Sequence, residues 1–204
     1  MNEYFGEFLG TFILILLGNG VVANVNLEKT HSKGAGWIVI TAGWGMAVFV
    51  AVLATADISG AHLNPAVTLG LAFSGLFAWV KVFPFILAQM LGAMFGALMV
   101  YIFFREHFKI TLTQGTKKAC FCTAPAIRNY PSNFFSEVVG TFVLVLAVLL
   151  IALPQLEYEN LGSAKVGLGS LGALPVALVV FSIGLSLGGT TGYAINPARD
   201  LGPR

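Results

Sequence analysis

The triplets Asn64-Pro65-Ala66 and Asn196-Pro197-Ala198 carry most of the chemistry this sequence can do. They stand 132 positions apart (196 − 64). Asn is a favoured N-cap and Pro a favoured first helical residue, so each triplet predicts a helix start with its cap built in. The Asn oxygen can accept from the helix's own free N–H groups, which leaves the NH₂ as a fixed neutral donor. Asp or Ser would cap equally well but would not present that donor. Arg199 follows the second triplet and adds a rigid fork of charged donors. Such groups exchange hydrogen bonds with a polar solute; they do not break covalent bonds. No Ser-His, paired-Asp or H-E-x-x-H arrangement occurs in the sequence, which therefore reads as a non-enzyme. No cofactor or metal is implied: Cys120 and Cys122 form a lone C-x-C and are read as incidental loop residues. His31 and His107 lie in polar loops without a partner pattern.

Each triplet is preceded by glycine, in GAHLNP and GYAINP. Residues 60–63 and 192–195 are outside any helix in this reading, so their carbonyls are free to face a passing solute. Gly60, Ala61, His62, Gly192, Tyr193 and Ala194 are the candidate lining carbonyls. A chain reversal at mid-depth in lipid is tolerated only where it lines a watery cavity or is buried in protein. Two reversals, one from each side, would bring Asn64 and Asn196 together.

The elements that must position these groups are apolar. Of the 204 residues 57% are hydrophobic and 10% charged, against about 25% charged in soluble domains. Charge-free windows run over 8–27, 34–56, 58–80, 82–104, 138–156 and 166–198, and a spanning helix needs about 20 apolar residues. The net charge of +2, with basic residues scattered, gives no nucleic-acid signature. MNEYFGE lacks a basic n-region and is read as the start of a first membrane helix, not a signal peptide. Gly6 and Gly10, Gly92 and Gly96, and Gly184 and Gly188 are spaced for close helix crossings.

The chain also repeats itself. EFLGTFILIL at 7–16 matches EVVGTFVLVL at 137–146, an offset of 130 that nearly equals the 132 between the triplets. Spans are predicted near 6–25, 36–56 and 84–104, with a half-length helix near 65–74. A second set falls near 134–154 and 172–188, with a half-helix from Pro197. Polar segments 26–35, 105–133 and 155–165 join them. The fold class is thus an all-α membrane protein in one membrane domain over 1–204, with a first repeat of about 1–112 and a second of about 130–204. An odd number of spans per half inverts the second repeat, and inverted repeats place a site at the midplane between broken helices. By this symmetry a sixth span should follow Arg204, so the second half is read as incomplete.

These residues carry a resemblance. HLNPA and NPARDLGPR are similar to the aquaporin family of membrane channels, over essentially the whole chain. The resemblance implies six tilted spans and two re-entrant half-helices around one pore per subunit, usually in homotetramers, in the plasma (cytoplasmic) membrane. Asp200 and Arg204 resemble the glycerol-facilitator branch, whose water-selective cousins usually carry small residues there. The family's narrowest ring maps onto Trp44, Gly184, Tyr193 and Arg199. Gly184 replaces the His of water-selective members and widens the ring; Tyr193 replaces the Phe more usual in this branch and adds a hydroxyl. Glu7 and Glu137, at matching places in the two halves, are implied to accept hydrogen bonds from the re-entrant loops. The basic residues of 26–35 and 105–133 would put those loops in the cytoplasm by the positive-inside rule; the resemblance implies the opposite.

The expected function is passive passage of glycerol and similar small neutral solutes, with some water. Arg199 can hold two adjacent hydroxyls, and Trp44 with Tyr193 offers an apolar corner for the carbon chain. Each half-helix start carries about +0.5 charge; with Arg199 the sum is about +2. At about 8 Å and an effective dielectric of about 20, a monovalent cation meets roughly 4 kcal/mol of repulsion. That mechanism is the one generally described for aquaporin-type pores. The alternative is an ion-coupled secondary transporter of a small polar solute, since those also use inverted repeats and broken helices.

Overall fold

The computed structural model describes residues 2–152, 155–158, 162–165 and 168–204. Residues 153–154, 159–161 and 166–167 lie outside the described residues; they include part of the expected span 134–154 and of the polar segment 155–165.

Among the described residues, five helices are long and apolar enough to cross a membrane. They are α1 (Glu3–Asn26), α2 (Trp37–Ser59), α4 (Trp79–Phe103), α7 (Tyr130–Leu150) and the stretch Gly169–Ser186. The last begins as a 3₁₀ turn over Gly169–Ala173 and continues as α8 (Leu174–Ser186). Two short helices start at the triplets: α3 (Pro65–Phe73) and α9 (Pro197–Leu201).

The boundaries depart from the sequence reading in four places. α4 starts at Trp79, so Pro84 lies inside the helix rather than at its start. Pro84 is the sixth residue, beyond the first turn whose N–H groups have no helical partner, so it removes the bond that would reach the Val80 carbonyl. α7 starts at Tyr130, because Asn129 caps it by accepting from the Ser132 N–H at 3.2 Å. Segment 105–133 is not bare loop: it holds α5 (Arg105–Ile110) and α6 (Gln114–Ala119). Within 155–165, β1 (Gln155–Tyr158) pairs antiparallel with β2 (Gly162–Lys165), a small hairpin added to the otherwise helical fold.

α1 is the central post, packed against α2 and α4. Glycines let the helices touch. A Cβ at Gly92 of α4 would stand 2.3 Å from the Phe8 carbonyl oxygen, and one at Gly96 would stand 2.8 Å from that of Phe12. A Cβ at Gly10 would meet Leu63 and Thr55 at 2.4 and 2.6 Å. Outward faces carry Ile38, Phe83, Phe103, Phe134 and Leu150, all exposed, as a lipid-facing surface requires. Cys120 and Cys122 are buried rather than incidental: Cys120 packs with Phe108 and Leu27 beneath α6, and burial pushes its thiol up to about 12.

Candidate functional site

The loops that precede α3 and α9 share one backbone. Gly60 (φ 82°) matches Gly192 (86°), Ala61 (49°) matches Tyr193 (40°), and Leu63 (51°) matches Ile195 (43°). Four non-glycine residues thus occupy the left-handed region, at about 1–2 kcal/mol each. Such strain persists only where the surroundings over-determine it.

Two carboxylates bind the loop amides. Glu7 is fully buried. Its Oε1 accepts from Ser59 Oγ at 2.7 Å and the His62 N–H at 2.9 Å. Its Oε2 accepts from the Leu63 N–H at 2.8 Å and Gln89 Nε2 at 2.7 Å. Glu137 accepts from the N–H groups of Ala194 and Ile195, each at 3.1 Å. The contacted pairs, 62–63 and 194–195, differ by the same 132 as the triplets.

At the triplets, Asn64 Oδ1 accepts from the Ala66 N–H at 2.9 Å. Asn196 Oδ1 accepts from the N–H groups of Ala198 and Arg199 at 3.0 and 3.3 Å. The amide nitrogens then cross. Asn64 Nδ2 donates to the Ile195 carbonyl at 2.9 Å, and Asn196 Nδ2 donates to the Leu63 carbonyl at 2.8 Å. This corrects two expectations. The NH₂ groups are not wholly free, since one N–H of each is engaged. The carbonyls of residues 63 and 195 do not face a solute. The physical reason is that the loop tips are buried against each other, and a buried carbonyl outside a helix must find a donor.

Beside the crossed tips lies a cavity of about 220 Å³. The loops bring Gly60, Ala61, His62, Asn64, Tyr193, Ala194, Asn196 and Arg199 to its lining, beside the apolar Leu63 and Ile195. The spans bring apolar groups: Leu14 from α1, Val48 and Val52 from α2, Leu144 and Val148 from α7, Val176 and Val180 from α8. Gly192 is off the wall; a Cβ there would stand 3.2 Å from Thr123.

Three of the four expected ring residues, Trp44, Tyr193 and Arg199, line the cavity. Gly184 does not. It backs Tyr193, and a Cβ on it would stand 2.8 Å from Tyr193 Cζ and from Thr41 Cγ2. The phenol occupies the space that a side chain at 184 would fill. Arg199 is buried, its Cζ 4.4 Å from the Trp44 ring centroid in cation–π geometry. Trp44 fits because Gly18 lies beneath it, where a Cβ would approach within 2.2 Å. Arg199 Nη1 and Tyr193 Oη are buried and find no hydrogen-bond partner among the described residues.

Asp200 turns away from Arg199. Its Oδ1 accepts from the N–H and Oγ1 of Thr123 at 2.6 and 3.0 Å, and its Oδ2 from Arg204 at 2.7 Å. It thus ties segment 105–133 to α9. His62 Nδ1 pairs with Thr68 Oγ1 at 3.1 Å, and its ring packs on Phe77 and Phe85. Sequence reasoning missed Gln89, Ser59, Thr68 and Thr123. Gln89 left a usable signal, a lone carboxamide in an uncharged span, which must find a partner when buried. Thr123, 77 residues from Asp200, left none.

The family model described as "Major intrinsic protein" matches residues 1–204. The chain is 53% identical over 204 residues to the glycerol uptake facilitator protein of Streptococcus pneumoniae strain R6, covering 100% of this chain and 82% of that protein. It is 50% identical over 202 residues to the glycerol uptake facilitator protein 3 of Lactiplantibacillus plantarum, covering 99% and 80%. Among solved structures it is similar to the aquaglyceroporin from Plasmodium falciparum, with a TM-score of 0.84 and 35% identity over 99% of this chain and 78% of that one. The inverted, aquaporin-like architecture and the full-length family match agree: this chain belongs to the major intrinsic protein family, the aquaporins its triplets resemble.

Proposed function

We propose that this protein is a passive membrane channel for glycerol and similar small neutral polyols, with some water. The observation that carries the reading is the mixed lining of the cavity. A polyol is polar along its hydroxyl edge and apolar along its carbon edge, and the lining supplies both loop donors and apolar side chains. Arg199 Nη1 and Tyr193 Oη, which no group among the described residues satisfies, would bind successive hydroxyls, with the Trp44 ring against the carbons. The second N–H of Asn64 and of Asn196 offers the next donors along the path. Trp44, Tyr193 and Arg199, with Gly184 behind the phenol, form the selectivity filter in this reading. Glu7 and Glu137 are its loop scaffold, and Asp200 and Arg204 its outer brace. The glycerol uptake facilitators and the aquaglyceroporin that the chain resembles support the same solute class. The protein would work as a homotetramer in the plasma (cytoplasmic) membrane, its exposed apolar faces divided between lipid and neighbouring subunits.

Ion-coupled transport is disfavoured by the wall itself. Among the described residues that line the cavity, Arg199 is the one fixed charge and no carboxylate is present. A coupling cation would find no anionic ligand there. The test is stopped-flow light scattering on proteoliposomes under glycerol and then sucrose gradients. Fast glycerol re-swelling, insensitive to proton and sodium gradients, is the expected result. Re-swelling that collapses with the ion gradient would replace the channel with a transporter.

A further inference from the structure

We propose that Trp37 is a positioning residue that sets the width of the filter, a reading that rests on the filter assignment above. Trp37 is the first residue of α2, outside the cavity lining. Its indole Nε1 donates to the Gly184 carbonyl at 2.9 Å, across 147 residues. Its ring meets Tyr193 edge to face, centroids 5.8 Å apart at 78°. One side chain therefore grips both the backbone of Gly184 and the phenol that Gly184 makes room for.

The local structure explains why this grip is available. α8 ends at Ser186, and its last turn closes with the Leu187 N–H on the Ile183 carbonyl. The next carbonyl, that of Gly184, has no helical donor after it, and the indole takes that place. Gly188 provides the clearance: a Cβ on it would stand 2.5 Å from Tyr193 Cδ1 and 2.8 Å from Trp37 Cζ2. Trp37, Thr41 and Trp44 fall at i, i+4 and i+7, one stripe of α2. Trp37 holds Tyr193, Thr41 abuts Gly184, and Trp44 carries Arg199. The whole constriction is thus braced from a single helix face.

Without the brace Tyr193 can swing toward α2, and the passage widens for larger polyols before it changes for water. Trp37→Phe keeps an aromatic edge and removes the donor; Trp37→Ala removes both. In proteoliposomes with matched channel content, the four-carbon to three-carbon polyol permeability ratio should rise about fivefold in Trp37→Phe, the worth of one neutral hydrogen bond, and further in Trp37→Ala. A merely structural role would lower every permeability by one common factor. Ratios unchanged in both variants would overturn the proposal. A structure of Trp37→Phe supplies a readout that needs no conduction: Tyr193 displaced from Gly188 supports the clamp, and Tyr193 unmoved overturns it. Wild-type liposomes impermeable to glycerol would instead sink the channel reading and leave that structural arm to decide the clamp.

Discussion

The side-chain amide of Asn64 donates to the backbone carbonyl of Ile195 at 2.9 Å, and Asn196 returns the bond to Leu63 at 2.8 Å. The two half-helices are therefore not just placed tip to tip; each caps itself with its Asn oxygen and locks its partner with its Asn nitrogen. The amide can do both because it carries an acceptor oxygen and a donor nitrogen on one rigid plane. The loops so joined hold Ala61, Leu63, Tyr193 and Ile195 at positive φ, which no isolated loop would keep.

Replacing Asn64 with Asp tests this division of labour. The cap survives, the crossing bond to Ile195 is lost, and a negative charge enters between two half-helix starts and Arg199. The net charge there falls from about +2 to about +1, which halves the repulsion to roughly 2 kcal/mol for a monovalent cation. Cation leak measured with a potential-sensitive dye should rise some tens of fold, while glycerol flux falls. A variant as ion-tight as the parent would remove the half-helix starts from the ion barrier.

The two scaffold acids should differ in worth. Glu7 accepts four hydrogen bonds, two of them from the side chains of Ser59 and Gln89, while Glu137 accepts two, both from backbone. In Glu7→Gln an NH₂ would face two of these donors, leaving buried polar groups unpaired at about 1–3 kcal/mol each. Glu137→Gln can turn one oxygen to one amide and lose less. Thermal unfolding in detergent should show the larger drop in Tm for Glu7→Gln. Equal drops would mean that Gln89 and Ser59 add nothing to the first loop.

How much of this was legible beforehand follows from distance along the chain. Apolar windows, caps and the doubled triplet are local, so the spans, both half-helices and the loops before them could be named from them, while the ring of Trp44, Gly184, Tyr193 and Arg199 came from the family resemblance. α4 begins at Trp79, ahead of the expected 84, because the apolar packing of the span carries the helix through Pro84. The crossed amides, the Trp37–Gly184 bond and the Asp200–Thr123 tie join residues 131, 147 and 77 apart. Nothing in either partner's neighbourhood marks such contacts; they exist only once the helices pack. Gly184 shows the same limit. Its smallness was legible, but which ring would occupy the space was not.

Gly184→His is the sharpest test of that occupancy. Even a Cβ at 184 would press within 2.8 Å of Tyr193 and Thr41, so an imidazole must drive the phenol toward the passage. Tight sites reject an added group steeply, by about 10- to 200-fold for a single methylene-sized change. Glycerol flux should fall by at least the lower figure and water flux by much less, both measured by stopped-flow on the same vesicles. Equal loss of both would show that Tyr193 does not narrow the path when displaced.

Asp200 offers a test away from the passage. It holds the N–H and hydroxyl of Thr123 and the guanidinium of Arg204, so it anchors the far end of the segment that carries α6. A charge-assisted bond to a backbone amide contributes about 1.5–3 kcal/mol. Asp200→Ala should therefore raise the local opening of this segment by more than tenfold while the spanning helices stay intact. α6 carries Lys117 and Lys118 in its last turn, and cleavage within a helical turn requires that turn to open locally. Under native-state proteolysis the variant should be cut at Lys117–Lys118 at least tenfold faster than the parent, with the circular dichroism of the helices unchanged. If the cutting rate is the same, Thr123 is held by other contacts and Asp200 serves α9 alone.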